Sequence, residues 1–317
     1  MSANKTSSKP PARNNTSNTV PDNTRNGLVI VNYGKSLLIE DDHGKLVRCV
    51  PRRSLDPIVC GDRIDWEPAG DGTGVITRIE SRHTVLNRAD GENRARPLAA
   101  NLDQIVIVTA TEPALDEYLV DKYTVAAELV GVQPLLLINK TDLLDSNARA
   151  VLEQRVAGYA GIGYRVLFTS ARLSTGMPEL EQALTGITSI LVGQSGVGKS
   201  SLIKRLLPEL DIAIGKLSEA SGQGRHTTTA TTLYKLPGGG QLIDSPGVRD
   251  FRLGPVDAGQ LELGFREFRD SLGQCKFHNC RHMSEPDCAV ASAAQQNRIS
   301  PRRLESYRQL VVASKDT

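Results

Sequence analysis

The sequence predicts a doubly wound α/β domain set between a small all-β barrel and a short helical module bearing a Cys/His cluster. Three observations predict it. Residues 26–86 hold five short strand patterns with no helical period, and residues 101–258 alternate continuous apolar strands with helical stretches. Residues 259–317 hold three of the five cysteines, followed by an amphipathic helix. At 317 residues the chain is long enough for two or three domains.

The first 25 residues are polar, with Lys5, Lys9, Arg13 and Arg25 spread among Pro10, Pro11 and Pro21. Such a segment buries too little apolar surface to offset its ordering entropy, so it reads as a disordered basic tail. It is either an arm adding phosphate contacts on RNA or a plain solvated tail. The barrel strands are expected at 27–31, 36–39, 45–50, 62–66 and 74–79, divided by turn signals at Asp41-Asp42-His43-Gly44 and Ala69-Gly70-Asp71-Gly72. Five strands in so short a stretch suit an OB-fold. Arg48, Arg52, Arg53, Arg63, Arg78 and Arg82 either contact nucleic-acid phosphates or form a solvated basic face. Residues 87–100 are polar and punctuated by Gly and Pro, and read as a linker.

Beyond it, 104–108, 134–138, 164–168 and 189–192 are apolar runs of the kind buried in parallel sheets. Helical stretches at 117–130 and 148–160 lie between them, which implies right-handed crossovers. In the last segment Ser300-Pro301 offers an N-cap and a proline at N1. Leu304, Tyr307, Leu310 and Val311 then share one helical face.

The chemistry lies at the strand ends. Gly193-Gln194-Ser195-Gly196-Val197-Gly198-Lys199-Ser200, with Ser201 after it, fits G-x-x-x-x-G-K-S/T between a strand and a helix. Glycines let consecutive N–H groups point at a β-phosphate, Lys199 reaches the β- and γ-phosphates, and the Ser200 hydroxyl binds Mg²⁺. Asn139-Lys140-Thr141-Asp142 selects the base. Its carboxylate accepts from guanine N1–H and the N2 amino group, whereas adenine would leave it unpaired. Ser170-Ala171 offers a backbone N–H to guanine O6. Asp244-Ser245-Pro246-Gly247 supplies a carboxylate that holds Mg²⁺ through water and a Gly247 N–H for the γ-phosphate. Between this motif and the P-loop, Thr228 is the expected switch threonine on Mg²⁺, with Thr227 and Thr229 as rivals. Val248 follows Gly247 where Ras-like enzymes carry the glutamine that orients the attacking water. His226 is therefore the expected catalytic residue, and the rival reading makes it an exposed loop histidine.

These motifs run N-K-x-D, S-A, P-loop, Thr, D-x-P-G, a circular permutation of the usual GTPase order. With a barrel ahead and a Cys/His module behind, the chain closely resembles the bacterial ribosome small-subunit-dependent GTPase A family over all but its tail. The resemblance implies an enzyme that hydrolyses GTP to GDP and phosphate. It further implies binding to the 30S subunit and its 16S rRNA through barrel and zinc module, and stimulation by that subunit. The implied task is late 30S maturation, including release or checking of assembly factors. A GTP-gated RNA-binding adaptor and a signalling GTPase with protein partners are the rival readings.

Cys275, Cys280, His282 and Cys288 place three thiols and an imidazole within one short segment, a set suited to one structural Zn²⁺. His278 is the alternative ligand, more simply read as solvated. Cys49 and Cys60 lie in apolar strand contexts and read as core thiols. An odd cysteine count argues against a disulfide framework. Hydrophobic residues make up 39% and charged residues 23%, and the net charge of +2 says little about partners. No apolar run approaches the roughly 20 residues of a membrane span, and the N-terminus lacks a signal-like apolar region. The expectation is a cytoplasmic monomer.

Overall fold

The computed structural model describes residues 23–34, 36–90, 92, 94–221, 230–245 and 256–315. Its first five strands are β1 (Arg25–Asn32), β2 (Leu37–Asp41), β3 (Leu46–Pro51), β4 (Arg63–Pro68) and β5 (Gly74–Ile79). They pair in the order β1-β2-β3-β5-β4, and a β1–β4 pairing closes the ring. The result is the five-stranded, OB-like barrel expected. Alternation along each strand fills it with Val29, Leu37, Ile39, Val47, Cys49, Ile64, Trp66 and Ile76. Closure pairs the edges of the sheet, and the indole N–H of Trp66 reaches the Asn26 carbonyl at 3.1 Å.

Residues 87–100, expected to be a linker, are instead part of a hairpin of β6 (Val85–Ala89) and β7 (Ala95–Ala100). Its turn is built by Asp90, whose Oδ1 accepts from the N–H groups of Glu92 (2.9 Å) and Arg94 (2.9 Å). Leu86, Leu98 and Ala99 are buried in the core shared with the next domain. The Arg-rich outer face had masked this inner one.

The α/β domain contains β8 (Gln104–Ala110), α1 (Glu117–Val130), β9 (Gln133–Asn139), α2 (Ser146–Gly161), β10 (Arg165–Phe168), α3 (Met177–Leu184), β11 (Thr188–Val192), α4 (Lys199–Leu206), α5 (Leu210–Ser221), β12 (Thr231–Lys235) and β13 (Gln241–Asp244). Every residue of β8 is buried, as a central parallel strand covered on both faces requires. Helix α1 begins where Asp116 accepts the Leu119 N–H at 3.0 Å, an N-cap worth about 1 kcal/mol. Strand order is β10-β9-β8-β11-β13-β12, all parallel except β12. The barrel joins this sheet directly, because β1 pairs antiparallel with β12.

The C-terminal module comprises α6 (Ala258–Leu263), a 3-10 turn (Arg266–Ser271), α7 (Ala289–Gln295) and α8 (Pro301–Lys315). The face read from the sequence is the buried one: Leu304, Tyr307, Leu310 and Val311 pack with Phe265 and Phe268. A polar network docks α8 on α1. Asp121, fully buried, accepts from Arg302 (2.6 Å), Arg303 (2.8 Å) and the Tyr159 hydroxyl (2.6 Å). Arg303 also forms a fork on Glu267 at 2.6 and 2.9 Å. Removing one member of so buried a set would strand a charge. Among the described residues no helix is long and apolar enough to cross a membrane.

Candidate functional site

The adjacent parallel strands β10, β9, β8, β11 and β13 all end at one edge of the sheet. Ser170-Ala171 follows β10, Asn139 ends β9, Gly193 follows β11, and Asp244 ends β13. Four motifs scattered over more than one hundred residues therefore converge at the carboxyl edge, where open α/β sheets bind ligands.

The P-loop runs from Gly193 to Gly198, and Lys199, Ser200 and Ser201 form the first turn of α4. Gly193 and Gly198 have φ of 139° and 94°. A Cβ at Gly193 would lie 2.0 Å from the Val108 carbonyl oxygen, and one at Gly198 2.3 Å from Asn139 Nδ2. Only glycine fits either place. The Lys199 ammonium donates to the carbonyls of Gly193 and Gln194, both at 2.6 Å, so it lies folded along the concave side of the loop.

Asn139 is the brace of the site. Buried at 1% exposure, it donates to the Val197 carbonyl at 2.9 Å and accepts from the Ala171 N–H at 3.3 Å, so it ties the P-loop to the other two strand ends. Lys140 adopts φ 61°, a conformation that costs a side-chain-bearing residue about 1–2 kcal/mol. Its ammonium is fixed on the Glu112 carbonyl at 2.7 Å, and its carbonyl accepts from Thr111 at 3.3 Å. Thr141 and Asp142 lie in a 3-10 turn, with Thr141 Oγ1 donating to the Thr169 carbonyl at 3.0 Å. Ser170 Oγ donates to Asp142 Oδ1 at 2.6 Å, and Arg172 lies 3.8 Å from Oδ2. The Asp142 side chain is 7% exposed, so its carboxylate is aimed and partly desolvated before any ligand arrives. The Ser170 N–H is taken by the Thr175 carbonyl at 2.9 Å, whereas the Ala171 N–H makes only the longer bond to Asn139, at 3.3 Å.

Gly247, His226, Thr228 with its rivals Thr227 and Thr229, and Val248 lie outside the described residues. The bracing roles of Ser170 Oγ and Thr169, and the bond from Gln194 to Asp116 at 3.3 Å, were missed by sequence reasoning. No motif spacing encodes them, because each depends on which strand ends are neighbours.

In the C-terminal module, Cys275 Sγ, Cys280 Sγ, His282 Nδ1 and Cys288 Sγ all lie within 4.8 Å of one another and can hold a metal ion. His278 is not in this group. The His282 Nε2 lies 3.0 Å from Glu262 Oε2, a carboxylate that fixes the ring orientation. Backbone N–H groups of Ala289 and Ala291 donate to Cys275 and Cys288, both at 3.4 Å. Burial and the adjoining Cys288 and Cys275 push the Cys280 thiol up to about 12, so a bound cation is what would let Cys280 carry a thiolate. Cys49 and Cys60 are fully buried core thiols. On the barrel, Arg82 is a structural residue, forked onto buried Asp62 through Nε and Nη2, each at 2.7 Å. Arg78 is paired with Asp65 and Arg52 with Glu67, while Arg48, Arg53 and Arg63 are exposed.

A P-loop, a guanine-type N-K-x-D loop and a D-x-P-G strand end on one sheet, reached in rotated chain order, define a circularly permuted P-loop GTPase. A family model described as RsgA GTPase matches residues 79–254, more than half of the chain. The chain belongs to the RsgA GTPase family, and it is a GTP hydrolase. It is 47% identical over 293 residues to "Small ribosomal subunit biogenesis GTPase RsgA" of Azotobacter vinelandii (strain DJ / ATCC BAA-1303), a match covering 91% of this chain and 85% of that one. The protein of the same name from Pseudomonas fluorescens (strain SBW25) is 46% identical over 291 residues, with 90% and 85% covered. Among solved structures, YjeQ from Thermotoga maritima superposes with a TM-score of 0.76 at 30% identity, covering 93% of this chain and 99% of that one. YloQ, described as a circularly permuted GTPase, gives a TM-score of 0.71 at 25% identity, with 92% and 96% covered.

Proposed function

We propose that this GTPase acts in late maturation of the small ribosomal subunit, binding the 30S particle in its GTP state and hydrolysing GTP when the particle stimulates it. The observation that carries this reading is the convergence of four guanine-site motifs on one sheet edge, with an OB-like barrel on one side and a metal-binding module on the other. The names of its relatives point to the same particle. We assign barrel, GTPase and zinc module to residues 26–86, 101–258 and 259–317. In this reading the exposed Arg48, Arg53 and Arg63 are the barrel's phosphate contacts, and barrel and zinc module together grip 16S rRNA. Release or checking of assembly factors would follow from the change of affinity on hydrolysis.

Asp142 reads the guanine edge, Asn139 and the Lys140 stem frame the base, and the Ala171 N–H meets O6. Lys199 leaves its two loop carbonyls for the β- and γ-phosphates, while the N–H groups from Gly193 to Ser201 cradle the β-phosphate. Ser200, Thr228 and Asp244 would hold Mg²⁺, which when bound would neutralise charge developing on the phosphates. Gly247 contacts the γ-phosphate. The Val248 side chain has no polar atom for the attacking water, so His226 orients it by accepting a hydrogen bond.

The metal is zinc. A tetrahedron with Zn–S of about 2.3 Å and Zn–N of about 2.0–2.1 Å has edges of about 3.8 Å between sulfurs and about 3.5 Å from sulfur to nitrogen. Cys275 and Cys288 are 3.9 Å apart, and the three sulfurs lie 3.6, 3.6 and 3.3 Å from His282 Nδ1.

The test is co-sedimentation with purified 30S subunits, combined with turnover of His226→Ala. The chain should pellet with a non-hydrolysable GTP analogue and leave the particle with GDP. His226→Ala should pellet like the wild type yet lose about 100-fold or more of stimulated turnover, the range for a residue acting in proton management at the reacting water. Equal pelleting in both nucleotide states would overturn the nucleotide-gated reading. Weak pelleting of His226→Ala would recast that residue as a docking group.

A further inference from the structure

The barrel and the GTP site share one row of paired strands. Val31 of β1 lies opposite Thr232 of β12, Thr232 lies opposite Asp244 of β13, and Asp244 lies beside Leu191 of β11, the strand that runs into the P-loop. Asp244 is thus two strands from the barrel. A second line of contacts runs alongside. The buried barrel thiol of Cys60 donates to the Ile30 carbonyl at 2.8 Å and approaches the Thr231 carbonyl at 3.4 Å. The Thr231 hydroxyl lies 3.0 Å from that of Ser245, a residue only 1% exposed and adjacent to Asp244. Leu217 and Ala220 of α5, with Ala230, pack into the same core cluster as Leu38 and Cys60.

A paired ladder backed by a close-packed core does not deform continuously, because a register slip would turn its buried side chains outward. Thr231 therefore has its backbone on the barrel and its side chain on the neighbour of Asp244. We propose that Thr231 is a positioning residue through which the barrel sets the place of the Asp244 carboxylate, so that what the barrel binds is felt on the magnesium side of the GTP site. This rests on the assignment of Asp244 to Mg²⁺ and on no property of the ribosome.

The test is the Mg²⁺ dependence of GTP turnover by the full chain, without ribosomal particles. Thr231→Val keeps the shape and removes the hydroxyl, and Thr231→Ser keeps the hydroxyl. Thr231→Val should need about tenfold more Mg²⁺ for half-maximal turnover, the loss of one part-buried hydrogen bond expressed as an equilibrium ratio. Its affinity for GDP in the absence of Mg²⁺ should stay within about twofold of wild type, and Thr231→Ser should restore the Mg²⁺ requirement. On the barrel side, Cys60→Ala should raise the requirement in the same direction, and the double variant should fall short of the product of the two effects. A wild-type Mg²⁺ requirement in Thr231→Val overturns the proposal. An equal loss of Mg²⁺-free GDP affinity also overturns it, since that marks general loosening of the site. An unaltered requirement in Asp244→Asn would instead remove the magnesium assignment on which the proposal rests, a separate result.

Discussion

Asp142→Asn is expected to lower GTP affinity by about 10²- to 10⁴-fold, because two hydrogen bonds to a charged acceptor are worth roughly 1.5–3 kcal/mol each. The geometry makes the substitution clean. Ser170 Oγ donates to Asp142 Oδ1, and the Asn Oδ1 can accept the same bond. The new amide nitrogen then takes the place of Oδ2, facing the N1–H and N2 amino group of guanine, so two donors meet two donors. A xanthine base carries a carbonyl in place of the N2 amino group and accepts from that amide. The variant should prefer XTP to GTP, and equilibrium binding of fluorescent GDP and XDP reads this directly. Wild-type GTP affinity in the variant would mean that Asp142 does not read the base. The exposed Arg172, 3.8 Å from Oδ2, would lose its ionic partner, but a pair so exposed contributes at most about 1 kcal/mol.

The second large effect concerns the metal. The protein as purified should contain one zinc per chain by elemental analysis, and Cys280→Ser or chelation should lower the unfolding temperature of the C-terminal module sharply. Structural zinc supplies about 10–16 kcal/mol of apparent binding free energy, far more than a small module otherwise has in reserve. Loosening should begin in the loop that carries the ligands and in α7, whose N-cap is Cys288. It should reach α8 later, because α8 is held on α1 by Asp121, Arg302 and Arg303 and by packing of Val125 against its apolar face. Hydrogen exchange should show this order, while GTP affinity stays within about fivefold, the parts being joined by an interface rather than one core. Protein free of zinc without chelation, or unchanged exchange after chelation, would contradict the assignment.

Much of this architecture can be read from the chain. Each nucleotide motif is a contiguous stretch whose chemistry demands particular residues, and each caps a strand whose apolar run stands out. The permutation is legible for the same reason, since the order of intact motifs can be seen without knowing how the strands pair. Non-local features were hidden. The β1–β12 pairing joins residues some two hundred positions apart, and β12 follows directly on a run of threonines that reads as loop. Helix α5 contains Gly215, which weakens a helical reading. The hairpin at 85–100 was lost behind its arginines. The α8 docking does leave a trace in the sequence: Arg302 and Arg303 stand in the first turn of a helix, where the macrodipole disfavours cations. Two arginines there imply acidic partners elsewhere, and Asp121 and Glu267 are those partners.

In the proposed function, the small ribosomal subunit governs this permuted GTPase. The most direct measurement is steady-state GTP turnover at saturating nucleotide, alone and with purified 30S subunits, with 50S subunits and ATP as controls. Without a glutamine after D-x-P-G, the chain alone should turn over slowly, in the range of unassisted GTPases at about 10⁻⁴ to 10⁻² per second. Addition of 30S subunits should raise that rate by at least about tenfold, lowering the barrier by about 1.4 kcal/mol or more. The 50S subunits should not, and ATP should not be hydrolysed. A rate unchanged by 30S subunits, or raised equally by either particle, would exclude control of this GTPase by the small subunit.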